Sequence, residues 1–196
     1  MPDPIYFSLW FSSFEQDDVL PRTILTLHQF PFSKLRPGVT YLALQPISWN
    51  EPTILEQRFT PGLDPEAAAD TASELLHEDY AYVFEAYWDL WTPGDTEAWV
   101  LLPALVRFIA QAAEFDEGTA TQTGHILIDL GPESVFLQEG VALTPDAQAR
   151  VWSNVQTLVE FTKRVEKNSG ATARLLWSES GEDLAQKLIA RLQKVQ

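Results

Sequence analysis

The chain of 196 residues contains no cysteine and only one methionine. The absence of cysteine excludes disulfide bonds, thiolate catalysis, iron–sulfur clusters and cysteine-ligated zinc. The sequence also has no apolar run of the roughly 18 residues that a transmembrane helix needs, so we expect no membrane partner. Because residues 1–4 lack the basic region that opens a signal peptide, we expect a cytoplasmic location.

Basic residues are scarce: 13 lysines and arginines oppose 28 aspartates and glutamates, which gives a net charge of −15. Residues 1–140 hold 22 acids and 5 bases, whereas residues 141–196 hold 6 acids and 8 bases. The acidic part repels phosphate backbones, so we predict no nucleic-acid partner. Its charge is interpreted either as a solvated surface or as a docking face for a basic protein, with mimicry of DNA as a third alternative.

Motifs for common chemistries are also missing. The sequence contains no Gly-x-Ser-x-Gly elbow and neither of the glycine-rich loops that hold phosphates. Its three histidines, His28, His77 and His125, lack the short spacing typical of metal ligands. We therefore predict no metal and no cofactor, and the sequence favours a non-enzymatic role while leaving an enzyme open.

What the sequence does contain is a long aromatic hairpin. Apolar or aromatic side chains occupy every even position of residues 80–91, a period of two that is typical of a strand with one buried face. Residues 92–95 predict a turn and residues 98–111 a second long strand. Pro103 removes a ladder donor, so we expect a bulge or an edge register there.

The order of the other elements indicates an α+β fold. Residues 5–14, 39–47 and 53–59 predict strands, and residues 19–29 and 64–77 predict helices. With the first hairpin strand, this β-α-β-β-α-β order resembles a ferredoxin-like layer, in which helices cover one face of an antiparallel sheet. We therefore predict an antiparallel-rich mixed sheet with a ferredoxin-like N-terminal part.

The last 55 residues predict an α-β-α segment that packs on this sheet. Residues 145–167 form an amphipathic helix pattern behind a Thr-Pro-Asp start, and residues 171–177 read as a strand. Residues 181–194 predict the final helix. We expect a single compact domain over residues 1–196, with a possible division between residues 140 and 141.

Charged residues of the hairpin are the first candidate ligand-binding groups. Glu85 and Asp89 interrupt the aromatic strand, and Arg107 is the only base in residues 59–149. If the turn centres near residue 95, Glu85 faces a residue near Leu105 and reaches Arg107 diagonally. This pair is interpreted either as a structural cross-strand ion pair or as part of a ligand-anchoring set.

Trp91 and His125 complete the set of candidate ligand-binding residues. Trp88 and Trp91 lie on opposite parities of one strand, so one of them is expected on the second face of the sheet, under a cover or facing a partner. His125 follows residues 114–124, an acidic and then Thr/Gly-rich segment that predicts a mobile loop. No catalytic residue is assigned.

Two functional classes follow from these features. The first is a non-catalytic acidic domain that binds a protein partner or a second copy of itself through the sheet and the loop at residues 114–124. The alternative is a small-molecule-binding protein or enzyme with a cleft between the sheet and the C-terminal helices. The most useful single observation is whether those helices cover the aromatic face of the sheet.

Overall fold

The computed structural model describes residues 3–94, 98–138, 143–179 and 184–193. Seven strands form one sheet in the order β3-β2-β4-β5-β6-β1-β7. The strands are β1 (Pro4–Trp10), β2 (Val39–Pro46), β3 (Leu55–Leu63), β4 (Tyr80–Pro93), β5 (Trp99–Gln111), β6 (Ile126–Pro132) and β7 (Ala173–Ser178). The α-helices of the described residues are α1 (Val19–Leu27), α2 (Pro65–Asp70), α3 (Ala120–Thr123), α4 (Ser134–Leu137), α5 (Pro145–Asn168) and α6 (Leu184–Gln193). Short 3₁₀ turns occupy Gln16–Asp18 and Ser73–Leu75.

The α+β prediction is confirmed, with one difference in the sheet. Every pairing among the described strands is antiparallel, so the sheet is antiparallel where the sequence predicted a mixed one. The predicted order of the first six elements is present. The ferredoxin-like arrangement is not confirmed, because β4, β5 and β6 lie between β1 and β2. Both edges of β1 pair with strands from later in the chain, β6 and β7.

The aromatic hairpin is the centre of the sheet, as its alternation predicted. The β4–β5 pairing continues in register from Ala81 opposite Gln111 to Pro93 opposite Trp99. It therefore has no bulge at Pro103. Because β6 pairs with β5 only at residues 107–110, Pro103 lies where β5 extends beyond β6, which is the predicted edge register. The predicted turn comprises residues 92–95, and its last residue, Asp95, lies outside the described residues.

The even-numbered side chains of β4 point into an aromatic core. Trp88 is fully buried, and its ring lies 5.5 Å from Phe30 and 5.8 Å from Phe136, measured between centroids. Phe161 of α5 packs edge-on against Trp88 at 6.2 Å and against Phe108 of β5 at 6.4 Å. The C-terminal helix α5 therefore covers the aromatic face of the sheet.

The C-terminal α-β-α segment is present as α5, β7 and α6. Helix α5 begins as predicted: Pro145 occupies the first turn and the Thr144 hydroxyl accepts a hydrogen bond from the Ala147 N–H at 3.3 Å. Strand β7 joins the sheet beside β1. The predicted start of α6 at residues 181–183 and its end at Lys194 lie outside the described residues.

In the segment predicted as a mobile loop, Phe115–Gly118 forms a turn in which Asp116 and Glu117 have left-handed backbone conformation. The short helix α3 follows it, and Phe115 and Ala120 are buried. None of the helices among the described residues has the length and apolar character needed to cross a membrane.

Candidate functional site

The face of the sheet opposite the aromatic core carries a row of polar and aromatic side chains. Strand pairing places one residue from each of the seven strands in line across this face. From β3 to β7 they are Arg58, Tyr41, Glu85, Arg107, Asp129, Tyr6 and Trp177, and we call them the polar row. Because side chains of a strand alternate between faces, the side chains of this row lie on the face opposite the aromatic core.

Arg107 lies at the centre of the polar row between two carboxylates. Its Nε is 2.9 Å from Glu85 Oε1, and its Nη1 is 3.8 Å from Asp129 Oδ2. The cross-strand ion pair predicted for Glu85 is therefore present, although Glu85 faces Arg107 directly and not Leu105. The offset arises because β4 and β5 pair with a different register from the one assumed. A role for this pair in ligand binding remains a prediction.

A pocket of about 670 Å³ opens at the β3 end of the polar row. Its floor is formed by side chains of β2 and β4, including Tyr41, Glu85 and Tyr87. One wall is the loop before β2, with Leu35 and Arg36, and the other is β3. This volume is in the range of small-molecule sites, roughly 300–1,000 Å³.

Two arginines of the pocket stack on its tyrosines. The guanidinium carbon of Arg36 lies 4.7 Å from the centre of the Tyr87 ring, and that of Arg58 lies 5.0 Å from the Tyr41 ring. Arg58 also approaches Glu56 at 3.7 Å, whereas none of the ion pairs among the described residues involves Arg36. A guanidinium stacked on an aromatic face keeps its N–H edge free for a bidentate contact with an anion.

The side chain of Tyr41, in the floor of the pocket, is uncharged. Partial burial, together with a hydrogen bond to Glu56 and the nearby Glu56 and Glu85 carboxylates, raises the pKa of Tyr41. Its hydroxyl is therefore protonated at neutral pH and donates its hydrogen bond to the Glu56 carboxylate. The pocket offers guanidinium donors beside an apolar wall that includes Leu35, which is 72% exposed.

Asp89, a predicted ligand-binding residue, holds the Arg36 loop in place. Its Oδ1 accepts a hydrogen bond from the Ser33 hydroxyl at 2.5 Å, and its Oδ2 accepts one from the Lys34 N–H at 3.0 Å. The Ser33 oxygen in turn accepts the N–H groups of Leu35 and Arg36, both at 3.1 Å. Asp89 is therefore placed to position Arg36, since its carboxylate is already occupied by the loop.

Trp91 lies apart from the pocket, under the first turns of α5. The Arg150 guanidinium carbon is 3.8 Å from the centre of its ring. The Asn154 side chain accepts a hydrogen bond from the Trp91 N–H and donates one to the Trp91 carbonyl, both at 2.8 Å. Of the two tryptophans, Trp91 lies on the second face of the sheet, where the Arg150 side chain lies over its ring.

His125 is also separate from the other predicted site residues. It precedes Asp129 by four residues, which corresponds to about 13 Å along a strand. Its Nδ1 accepts a hydrogen bond from the Phe11 N–H at 3.0 Å, and its ring stacks on Phe14 with centroids 4.7 Å apart. Burial lowers the pKa of His125, which agrees with an unprotonated Nδ1.

Of the residues that line the pocket, sequence reasoning found Glu85 and missed the others, notably Arg36 and Arg58. Arg36 directly precedes the Pro-Gly pair at residues 37–38, and Arg58 lies three residues before the pair at residues 61–62. A side chain at Gly62 would place its Cβ 2.2 Å from the Pro37 carbonyl oxygen, so the two Pro-Gly pairs meet in backbone contact. An arginine shortly before a Pro-Gly pair, present in both segments, is the sequence signal for this site.

Among the described residues, no three histidine or carboxylate side chains converge to form a metal site. No protein-family model matches the chain, and no curated protein or solved structure is similar to it. Function is therefore inferred from the geometry of the pocket and of the surfaces around it.

Proposed function

We propose that the protein is a non-catalytic binding protein for a small organic anion, which it holds in the pocket between β3 and the Arg36 loop. The ligand carries a carboxylate or phosphate group opposite Arg36 and Arg58, and its apolar part lies against Tyr41 and Tyr87. This proposal takes up the small-molecule alternative of the sequence analysis. Its pocket opens on the face of the sheet opposite α5, not between the sheet and the C-terminal helices.

The observation that carries the proposal is the unpaired charge of Arg36. The chain has 28 carboxylate side chains and 13 lysines and arginines, so an arginine has many potential partners. Arg36 nevertheless makes no ion pair among the described residues, and its loop is fixed by Ser33 and Asp89. A positioned, unpaired cation beside a pocket attracts an anion against the field of the acidic surface.

The test is a thermal-shift screen with aromatic monocarboxylates, dicarboxylates and phosphomonoesters. A ligand present at about 100 times its Kd stabilises the folded state by about 2.7 kcal/mol. For a chain of this size we expect an increase in melting temperature of about 5–10 °C with at least one of these classes. The Arg36→Met variant should lose most of this shift, because it keeps the aliphatic stem on Tyr87 and removes the charge.

Arg174→Met is the matched control. Arg174 is a partly exposed arginine of β7 that pairs with Glu166, so this variant removes one positive charge away from the pocket. Its ligand-induced shift should equal that of the wild-type protein. The proposal is wrong if no anion class stabilises the wild-type protein, or if Arg36→Met and Arg174→Met respond equally.

A further inference from the structure

A second surface lies at the other end of β2, beyond the pocket. It is built from the β2–β3 loop, the residues before β4 and the residues after β5. Three backbone hydrogen bonds join these segments: Ile47 N–H to the Asp79 carbonyl at 2.7 Å, Asp116 N–H to the Ile47 carbonyl at 2.7 Å, and Glu114 N–H to the Glu78 carbonyl at 2.8 Å. The segments therefore form one continuous surface.

Large apolar side chains are exposed on this surface. Ile47 is 56% exposed and Trp49 is 45% exposed. The Trp49 ring packs edge-on against the buried Phe115 ring, with centroids 5.0 Å apart. The indole is therefore held in place while one side stays accessible, which is the arrangement of an aromatic anchor in a protein interface.

The backbone under this surface is strained. Ile47 has φ of 59°, a region that β-branched residues avoid, and Asp116 and Glu117 have φ of 49° and 58°. Such residues persist where the surrounding structure holds them, and they concentrate at functional sites. At Ile47 the positive φ interrupts the extended backbone directly after β2 ends at Pro46.

The three segments also carry carboxylate side chains. They are Glu51, Glu78, Asp79, Glu114, Asp116 and Glu117, which together with Ile47 and Trp49 we call the acidic apolar surface. The three segments contain no lysine or arginine. Of the ion pairs among the described residues, one involves these carboxylates, between His77 Nδ1 and Asp79 Oδ1 at 2.5 Å.

We propose that the acidic apolar surface docks a basic segment of another protein. An apolar side chain of that segment sits on Trp49 and Ile47, and its lysines or arginines face the carboxylates. Charge complementarity identifies this partner, because cations relieve the mutual repulsion of the carboxylates, whereas nucleic acids and anionic membranes are repelled. A second copy of this chain would bring two acidic surfaces together, which disfavours self-association here.

The test uses the full chain and two synthetic lysine-rich peptides of equal charge, one with a central leucine and one with serine in its place. Burying the leucine should make the first peptide bind about tenfold more tightly. Its affinity should fall severalfold as salt is raised, because the remaining attraction is electrostatic. Trp49→Ala should weaken the leucine peptide about tenfold and leave the serine peptide unchanged. Equal affinities for both peptides, or no effect of Trp49→Ala, would overturn the proposal.

Two double variants distinguish the effect of local charge on peptide binding from the effect of the total charge. Glu114→Gln with Glu117→Gln removes two carboxylates of the surface, and Glu160→Gln with Glu166→Gln removes two on α5. Both change the net charge from −15 to −13. The first should weaken the leucine peptide about fivefold and the second less than about twofold. Equal weakening would show that only the total charge matters and would overturn the proposal.

Ile47→Gly keeps the test decisive if Trp49→Ala does not fold. Glycine adopts positive φ without strain, so this variant should raise the melting temperature by about 2–4 °C while weakening the leucine peptide. Higher stability with unchanged binding would contradict the proposed contact. Sedimentation that shows a dimer dissolved by Ile47→Gly would assign the surface to a second copy and also overturn the proposal.

Discussion

The contact between α5 and the end of the aromatic hairpin gives the sharpest prediction for stability. Asn154 is 1% exposed and its side chain makes three hydrogen bonds, with the Trp91 N–H and carbonyl at 2.8 Å and with the Val135 carbonyl at 3.0 Å. Asn154→Ala removes all three and leaves three backbone groups unpaired inside the interface. At about 1 kcal/mol for each bond, we expect a loss of about 3 kcal/mol in the free energy of unfolding.

This loss is measured by urea denaturation followed through tryptophan fluorescence. The melting temperature should fall by about 6–12 °C. Hydrogen exchange at the Trp91 amide should accelerate, which ties the effect to this contact. Asn154→Asp should cost at least as much, because a carboxylate cannot donate to the two carbonyls.

Asn168→Ala is the matched control on the same helix. Asn168 is exposed and makes one hydrogen bond, to Gln29 Oε1 at 2.8 Å. Its replacement should cost less than about 0.5 kcal/mol. If Asn154→Ala lowers the free energy of unfolding no more than Asn168→Ala does, α5 does not hold Trp91 in place. Trp91 would then again be a candidate ligand-binding residue.

Two further predictions concern buried titrating groups. Because burial lowers the pKa of His125 below 6.5, the unfolded chain takes up its proton first as the pH falls, so stability should decline below about pH 6.5. His125→Phe keeps the stack on Phe14 and should remove this part of the decline; identical pH profiles of unfolding in the two proteins would contradict it. Burial raises the pKa of Tyr82 to about 12, whereas an unfolded tyrosine titrates near 10, so stability should fall as the pH rises through that interval. Tyr82→Phe should lack this fall, and it should cost about 2 kcal/mol at neutral pH because it loses two hydrogen bonds, to the Leu75 carbonyl and from the His77 N–H. A phenol that titrates near 10 in the folded wild-type protein would refute the first expectation.

The hairpin could be predicted from the sequence because its signal is local. Alternation of side chains over residues 80–91 fixes a strand and its buried face without knowledge of its neighbours. The neighbours themselves could not be predicted, since pairing of β1 with β6 and β7 depends on contacts more than 110 residues apart in the chain. The ferredoxin-like expectation relied on element order, which does not determine strand order.

The sequence predicted only the part of the candidate site that depends on the register of a single strand pair, β4 with β5. Glu85 and Arg107 pair because both lie in the hairpin, and an error of two residues in the register still left them within reach. Asp89 and Trp91 were assigned to ligand binding because nothing local revealed the Ser33 loop or Asn154 that occupy them. The pocket needed the meeting of two Pro-Gly pairs from different segments, a contact made only in the folded chain.

The two proposed sites lie far enough apart along β2 to be electrostatically independent. Tyr41 lies at the pocket and Ile47 at the acidic apolar surface, six residues or about 20 Å apart along the strand. This exceeds two Debye lengths at physiological ionic strength, about 8 Å each, so the charge of either site has little effect at the other. An organic anion is repelled by the carboxylates around Trp49, and a basic peptide is repelled by Arg36. Each site therefore excludes the ligand of the other by the sign of its own charge, and loss of Arg36 should leave peptide binding intact.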